Sequence, residues 1–173
     1  MVNDGVSAGF VDVSLYAAQA GVHEIGSSVN HRLSIHVGAP IRAACRCDGR
    51  SSRRLQRHGD IDIIPAALPG VWEDEQACTL LRLGLMPALI DAAAEGLGLN
   101  RAIVELTPRF QLDDPQIRHI GWALKAELES GYPGGRLFVE SSVWGSQRIS
   151  SAATLLGRLA PSSNGSAAFH SKI

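Results

Sequence analysis

The side chains best suited to chemistry lie between His31 and Arg82. His31 and His36 bracket the run HRLSIHV, and a second stretch, HGDIDIIPAALPGVWEDE (His58 to Glu75), sets Gly59 six residues before Pro65, with Ala67, Gly70 and Trp72 following. Imidazoles on a strand could hold a divalent metal if about three protein ligands converged. The spacing argues against it. His31 and His36 are five positions apart, and on a strand an odd separation sends two side chains to opposite faces. Trp72 is the large side chain nearest the Pro-Gly corner, and an indole is a donor only. No metal set can be assembled, so neither a metal nor another cofactor is expected. Trp72 is either barrel wall or a stacking surface at a barrel mouth.

Other side chains suggest binding rather than catalysis. Arg32 and His36 share the polar face of HRLSIHV; turned inward they would orient a polar small molecule, and turned outward they are surface residues. Arg82 sits inside the apolar run CTLLRLGL, where a charge needs a partner, either an acid of the fold or an anionic ligand. The run RCDGRSSRRLQRH carries Arg46, Arg50, Arg53, Arg54 and Arg57. It could contact phosphate; a solvated hairpin tip is the more common meaning of such a run, and it has no interleaved aromatics to act as a nucleic-acid stacking platform. No catalytic residue is expected: no serine sits in a G-x-S-x-G turn, and neither Cys45 nor Cys47 has a His and an acid close by in sequence.

These positions need strands to hold them. In HRLSIHV, Leu33, Ile35 and Val37 alternate with Arg32, Ser34 and His36, the period of a half-buried strand. IRAACRC, RRLQRHG, DIDIIPA, GVWEDE and CTLLRLGL continue the series, and Asp48-Gly49 is a two-residue hairpin signal. About seven short strands between 31 and 85 predict a barrel or sandwich. Residues 1–30 are small, polar and Gly-rich, and read as a loose arm with one short strand at GFVDVSLY. At Met86 the pattern changes. MPALIDAAAEGLG predicts a helix that stops at glycine. DDPQIRHIGWALKAELESG predicts a second, with Asp114 as cap, Pro115 in the first turn and Gly131 after its end. Ile117, Ile120, Leu124 and Leu128 form its apolar stripe, and Trp122 lies off it. A further helix begins at GGRLFVESS. In LIDAAAEGLGLNRAIVEL, Ala94, Gly98 and Val104 fall at a helix-turn-helix-like spacing that arises readily by chance.

The chain has 173 residues, 45% of them hydrophobic and 19% charged, with a net charge of −1. That suits one domain with a real core and gives no whole-chain footprint for nucleic acid. Three cysteines, odd in number and in no zinc spacing, read as reduced thiols. The start carries Asp4 and no basic run, and the apolar runs are too short to span a bilayer, so a cytoplasmic protein without membrane association is expected.

Two resemblances follow from these residues. Gly59, Pro65, Ala67 and Gly70 are similar to the second half-motif of metal-binding cupin barrels, G-x5-P-x-G-x2-H, with Ala67 in place of its last Gly and Gly70 in place of its His. GDIDIIPA and PGVWED, then LTPRFQLDDPQIRHIGWALKAELESG and GRLFVES, resemble the N-terminal sensor domain of the arabinose-regulator (AraC) family over roughly residues 23–141. The resemblance implies an α+β fold, a cupin-like β-barrel followed by two or three α-helices. It implies a small-molecule effector, for which Arg32, His36, Trp72 and Arg82 are the candidate pocket residues read above, and dimerisation through the helical region, here Ile117, Ile120, Leu124 and Leu128. It also implies DNA binding only through a separate C-terminal pair of helix-turn-helix units. The expected organisation is an arm over 1–30, the barrel over 31–85, a helical dimerisation region over 86–141 and an aberrant tail over 142–173. The tail does not continue the family's amphipathic helix. Read two bases out of phase with GC-rich codons, Val143 to Thr154 can encode V-G-L-A-T-H-L-L-R-R-Y, which is that helix. A frameshift near Ser142 that removes the DNA-binding half is therefore expected, leaving a sensor that pairs with itself or with an intact homologue. The alternative class is a small cupin-fold metal-dependent enzyme.

Overall fold

The computed structural model describes residues 5–96, 98 and 106–131. Ten strands and two helices run in the order β1 (Gly5–Ala8), β2 (Val11–Ala18), β3 (Gly21–Ile25), β4 (His31–Val37), β5 (Ile41–Cys47), β6 (Arg50–Gln56), β7 (Ile61–Ile64), β8 (Gly70–Asp74), β9 (Cys78–Leu85), α1 (Pro87–Gly96), β10 (Arg109–Leu112) and α2 (Pro115–Glu129). They form a six-stranded sheet, β1-β2-β9-β4-β7-β10, and a four-stranded sheet, β3-β8-β5-β6, with antiparallel pairing throughout. No strand ladder joins the two sheets among the described residues, so the expected barrel is an open pair of sheets.

Local chemistry explains the elements. Asp48 and Gly49 both take positive φ, 53° and 69°, and make the tight turn between β5 and β6. Asp114 accepts hydrogen bonds from the backbone N–H groups of Gln116 and Ile117, and Pro115 opens α2, where a missing N–H costs nothing. Gly131, at φ 73°, ends it.

The alternation of β4 decides the layering. Leu33 and Ile35 on β4 join Val11 and Val13 on β2, Ile61 and Ile63 on β7, and Leu81 and Leu83 on β9. This apolar face packs under both helices, which contribute Leu89, Ile90, Ile117 and Leu124. An ideal Cβ at Gly121 would lie 2.3 Å from Ile35 Cδ1, so the glycine is what lets α2 sit this close to the sheet. The core thus lies between the helices and the six-stranded sheet. The opposite, more polar face of that sheet is turned toward the four-stranded sheet.

Three expectations change. The arm over 1–30 holds three strands, and β2 is central enough to pair with β1 and β9; its alternation of Val11, Val13 and Leu15 with Asp12, Ser14 and Tyr16 is the same signal that marks β4. The strand region is not confined to 31–85, because β10 pairs with β7. The stripe proposed for dimerisation is engaged within the chain. Ile117, Leu124 (1% exposed) and Leu128 are buried in the core, and Ile120 packs against it. Trp122, off the stripe, stacks on His58 with ring centroids 4.7 Å apart. The expected helix at GGRLFVESS, the tail over 142–173 and the segment up to Val104 fall wholly or partly outside the described residues.

Candidate functional site

The inward faces of the two sheets enclose a cavity of about 710 Å³. Register sets which side chains reach it. On β9 and β4, Arg82 pairs with Ser34 and Gly84 pairs with Arg32, so the two arginines point the same way on adjacent strands as diagonal neighbours. Tyr16 projects beside them from β2, where Ser14 opposes Arg82. From the other sheet, Trp72 on β8 opposes His23 on β3 and Cys45 on β5. Arg32, Trp72 and Arg82, three of the four pocket residues expected from sequence, therefore line one cavity. His36 does not line it. It is fully buried, and its Nε2 lies 2.8 Å from the Ala39 carbonyl oxygen across its own turn.

Each arginine is held in place without a carboxylate. The Arg32 Nη2 donates to the Leu68 carbonyl at 2.7 Å, and the guanidinium lies 5.7 Å from the centre of the Trp72 ring. Its Nε is buried with no hydrogen-bond partner. The Arg82 guanidinium lies 3.4 Å from the centre of the Tyr16 ring, a cation–π contact. Among the described residues, neither forms a salt bridge with a carboxylate. Burial is the main influence lowering both pKa values, and Arg32 adds repulsion at Arg82. An arginine still keeps its charge at neutral pH.

The carboxylates of the cavity are differently placed. Asp62 accepts from Arg54, whose side chain is also buried, and from the Gln111 backbone N–H at 2.9 Å. Arg54 also reaches Cys45 Sγ at 3.1 Å and Gln56 Oε1 at 3.3 Å. This network ties β6 to β7 and β10 across the two sheets. It also corrects the reading of the basic run as a solvated tip: Arg46, Arg50, Arg53 and Arg57 are exposed, whereas Arg54 points inward. Asp74, buried on β8, has its pKa raised chiefly by desolvation, with His23 the largest opposing influence. Asp62 and Tyr16 were not singled out from sequence. Asp62 could have been, since an acid inside the run Ile61–Ile64 breaks the rule that Arg82 breaks among leucines.

The metal half-motif can be tested on geometry. Gly59 takes φ 88° and Ala67 takes φ 65°. Gly70 has no room for the imidazole of the pattern. An ideal Cβ there would lie 2.5 and 2.6 Å from two Trp72 ring carbons and 2.9 Å from the Arg46 carbonyl oxygen. His31 and His36 point to opposite faces, and His31 Nδ1 accepts from the Ala66 N–H at 2.9 Å. No group of three His, Cys, Asp or Glu side chains could hold a metal among the described residues. The metal that the pattern implies does not fit these residues.

No family model matches the chain, and no curated protein does. Solved structures match parts of the chain at low TM-scores. The cupin domain of Schizosaccharomyces pombe Cnp3 is 10% identical, with 57% of this chain and 71% of that one covered at a TM-score of 0.41. A conserved Streptococcus pyogenes protein of unknown function is 18% identical, with 50% and 74% covered at 0.40. A cupin superfamily protein of Desulfitobacterium hafniense is 14% identical, with 47% and 72% covered at 0.38. Among the described residues no helix is long and apolar enough to cross a membrane.

Proposed function

We propose that this chain binds a small molecule between its two sheets and acts as a sensor rather than a catalyst. The observation that carries the reading is the cavity of about 710 Å³ into which Arg32, Arg82 and Trp72 converge. Its size falls in the range of ligand pockets, and it combines apolar walls with a few fixed polar groups. In its finer form the domain is the effector-sensing part of an arabinose-regulator-type transcription regulator. That form rests on the sequence resemblance over residues 23–141. On this reading DNA is contacted only through the family's helix-turn-helix domain, and the protein works in the cytoplasm as a homodimer or paired with an intact homologue. Any such dimer must use a surface other than the Leu124 and Leu128 stripe, which is buried within one subunit. A metal-dependent enzyme is disfavoured by the Trp72 ring lying where the ligating side chain would start.

Thermal melting of the purified chain against a panel of small metabolites, with metal analysis alongside, tests this reading. At least one compound should raise Tm saturably, by several degrees at a hundredfold excess over its Kd. Stoichiometric iron, manganese or nickel with no stabilising metabolite would overturn it in favour of the enzyme.

A further inference from the structure

The cavity's charge pattern narrows the ligand to one chemical class; this inference rests on the sensing site proposed above. We infer that the cavity takes an organic anion, a carboxylate carried on a flat apolar body, with the carboxylate between Arg32 and Arg82 and the body against Trp72. Three observations carry it. First, Arg32 and Arg82 are diagonal neighbours on one sheet face, with Ser34 between them and Gly84 opposite Arg32. Two guanidinium groups so placed repel each other, and neither is paired with a carboxylate among the described residues.

Second, the acids of the cavity do not neutralise them. Asp62 is engaged by Arg54 and Gln111. Burial raises the Asp74 pKa; Arg82 is the last of the four positive groups that oppose the rise, after His23, Arg54 and His36, and forms no salt bridge with it among the described residues. Glu24 is exposed on β3, with Val22 (65% exposed) beside it at the cavity's open side. Third, the arginines are oriented by contacts that leave donors free. Tyr16 supports one face of Arg82, and Arg32 gives one nitrogen to Leu68 while its buried Nε has no acceptor. A guanidinium presents five donors in a planar fork that matches a carboxylate. The apolar walls from Val22, Ile64 and Leu80, with the Trp72 ring, suit a ligand larger than a bare inorganic ion.

The experiment titrates the full chain with benzoate, phenylacetate and indole-3-acetate, each against its own neutral amide, and with inorganic phosphate, by calorimetry and by Tm. At least one carboxylate should bind ten times or more tighter than its amide and tighter than phosphate. Arg82→Gln and Arg32→Gln should each reduce that preference tenfold or more. If Arg82 were only structural, Arg82→Gln would lower Tm and leave the carboxylate-to-amide ratio unchanged, which would overturn the assignment. Should that variant fail to fold, Arg82→Lys keeps the charge and loses the planar fork, and should weaken the carboxylate several-fold; an unchanged affinity refutes the role. Amides that bind as well as the acids remove the anion class and leave the sensing site standing. Phosphate that matches the best carboxylate removes the apolar body. Binding by none of these probes, nor by any of the metabolite panel, removes both readings.

Discussion

Replacing Gly70 by alanine tests the packing that separates this cavity from a metal centre. Gly70 does not have the positive φ that would exclude a side chain, so the effect is steric. The new methyl would sit 2.5 and 2.6 Å from the Trp72 ring and 2.9 Å from the Arg46 carbonyl oxygen. The ring can swing away, at the expense of its place over Gly70 and of its contact with Arg32. The carbonyl belongs to β5, which is held in register against β8 by the pairs Arg46 with Val71 and Cys47 with Gly70. It cannot retreat without breaking that ladder. Overpacking of this kind costs about 1–3 kcal/mol. Removing a glycine restricts the unfolded chain and returns about 0.4–1 kcal/mol. The net expectation is a loss of about 1–2 kcal/mol, or about 3–6 °C in Tm for a chain of this length. Urea unfolding of Gly70→Ala, Trp72→Leu and the double variant measures it. The double variant should recover most of the loss that the ring causes and keep the part due to the carbonyl, a coupling that a double-mutant cycle isolates. A Gly70→Ala protein as stable as the parent, with unchanged near-ultraviolet tryptophan signals, would refute the argument.

Leu124→Ala should destabilise the chain by about 3–5 kcal/mol, the cost of a cavity at a fully buried leucine, without changing its oligomeric state; urea titration and sedimentation separate the two. Asp62→Ala strands the buried Arg54 charge and should cost about 3–5 kcal/mol, whereas Arg54→Met with Asp62→Leu should recover much of it in the same assay. The Asp74 pKa is raised in the fold, so the folded state holds a proton that the unfolded chain releases, and stability falls as pH rises from about 3.9 through the raised value. Asp74→Asn should abolish that fall, melting higher than the parent at pH 7 and close to it below about pH 4, as scans across that range will show. Ala67→Gly relieves about 1–2 kcal/mol of left-handed strain at φ 65° and returns about 0.4–1 kcal/mol of freedom to the unfolded chain, so it should add up to about 1 kcal/mol, read as a higher urea midpoint.

Local signals in the sequence locate individual elements well and their arrangement poorly. HRLSIHV, IRAACRC and CTLLRLGL coincide with β4, β5 and β9, and the Asp48-Gly49 turn and the Asp114 cap stand where their chemistry requires. β10 is hard to read because it has four residues, a register shift and Gln111 at φ 55°. The facing of β4 is a tertiary property. Period 2 shows that Leu33 and Arg32 lie on opposite sides, but not that the leucine side meets helices and the arginine side meets a second sheet. The same limit applies to the stripe on α2, whose periodicity announces burial without naming the partner. Arg82 needed a partner on sequence grounds, and the structure supplies the Tyr16 ring. The pairing of Arg54 with Asp62 joins two sheets and has no local signature at all.

The half-motif that suggests a metal also shows why this cavity should prefer the opposite charge. Gly59 and Ala67 take positive φ on either side of a buried Pro65. Gly70 carries no side chain where the pattern has an imidazole, and the indole of Trp72 covers that place. Arg32 and Arg82 then bring two positive charges into the same space. A divalent cation there would meet repulsion that grows as the local dielectric falls, whereas an anion would be drawn by the same field. A position without a histidine would by itself leave a neutral wall. Two inward arginines, held by aromatic rings and a carbonyl and in no salt bridge with an acid among the described residues, give the cavity the charge that the inferred organic anion requires.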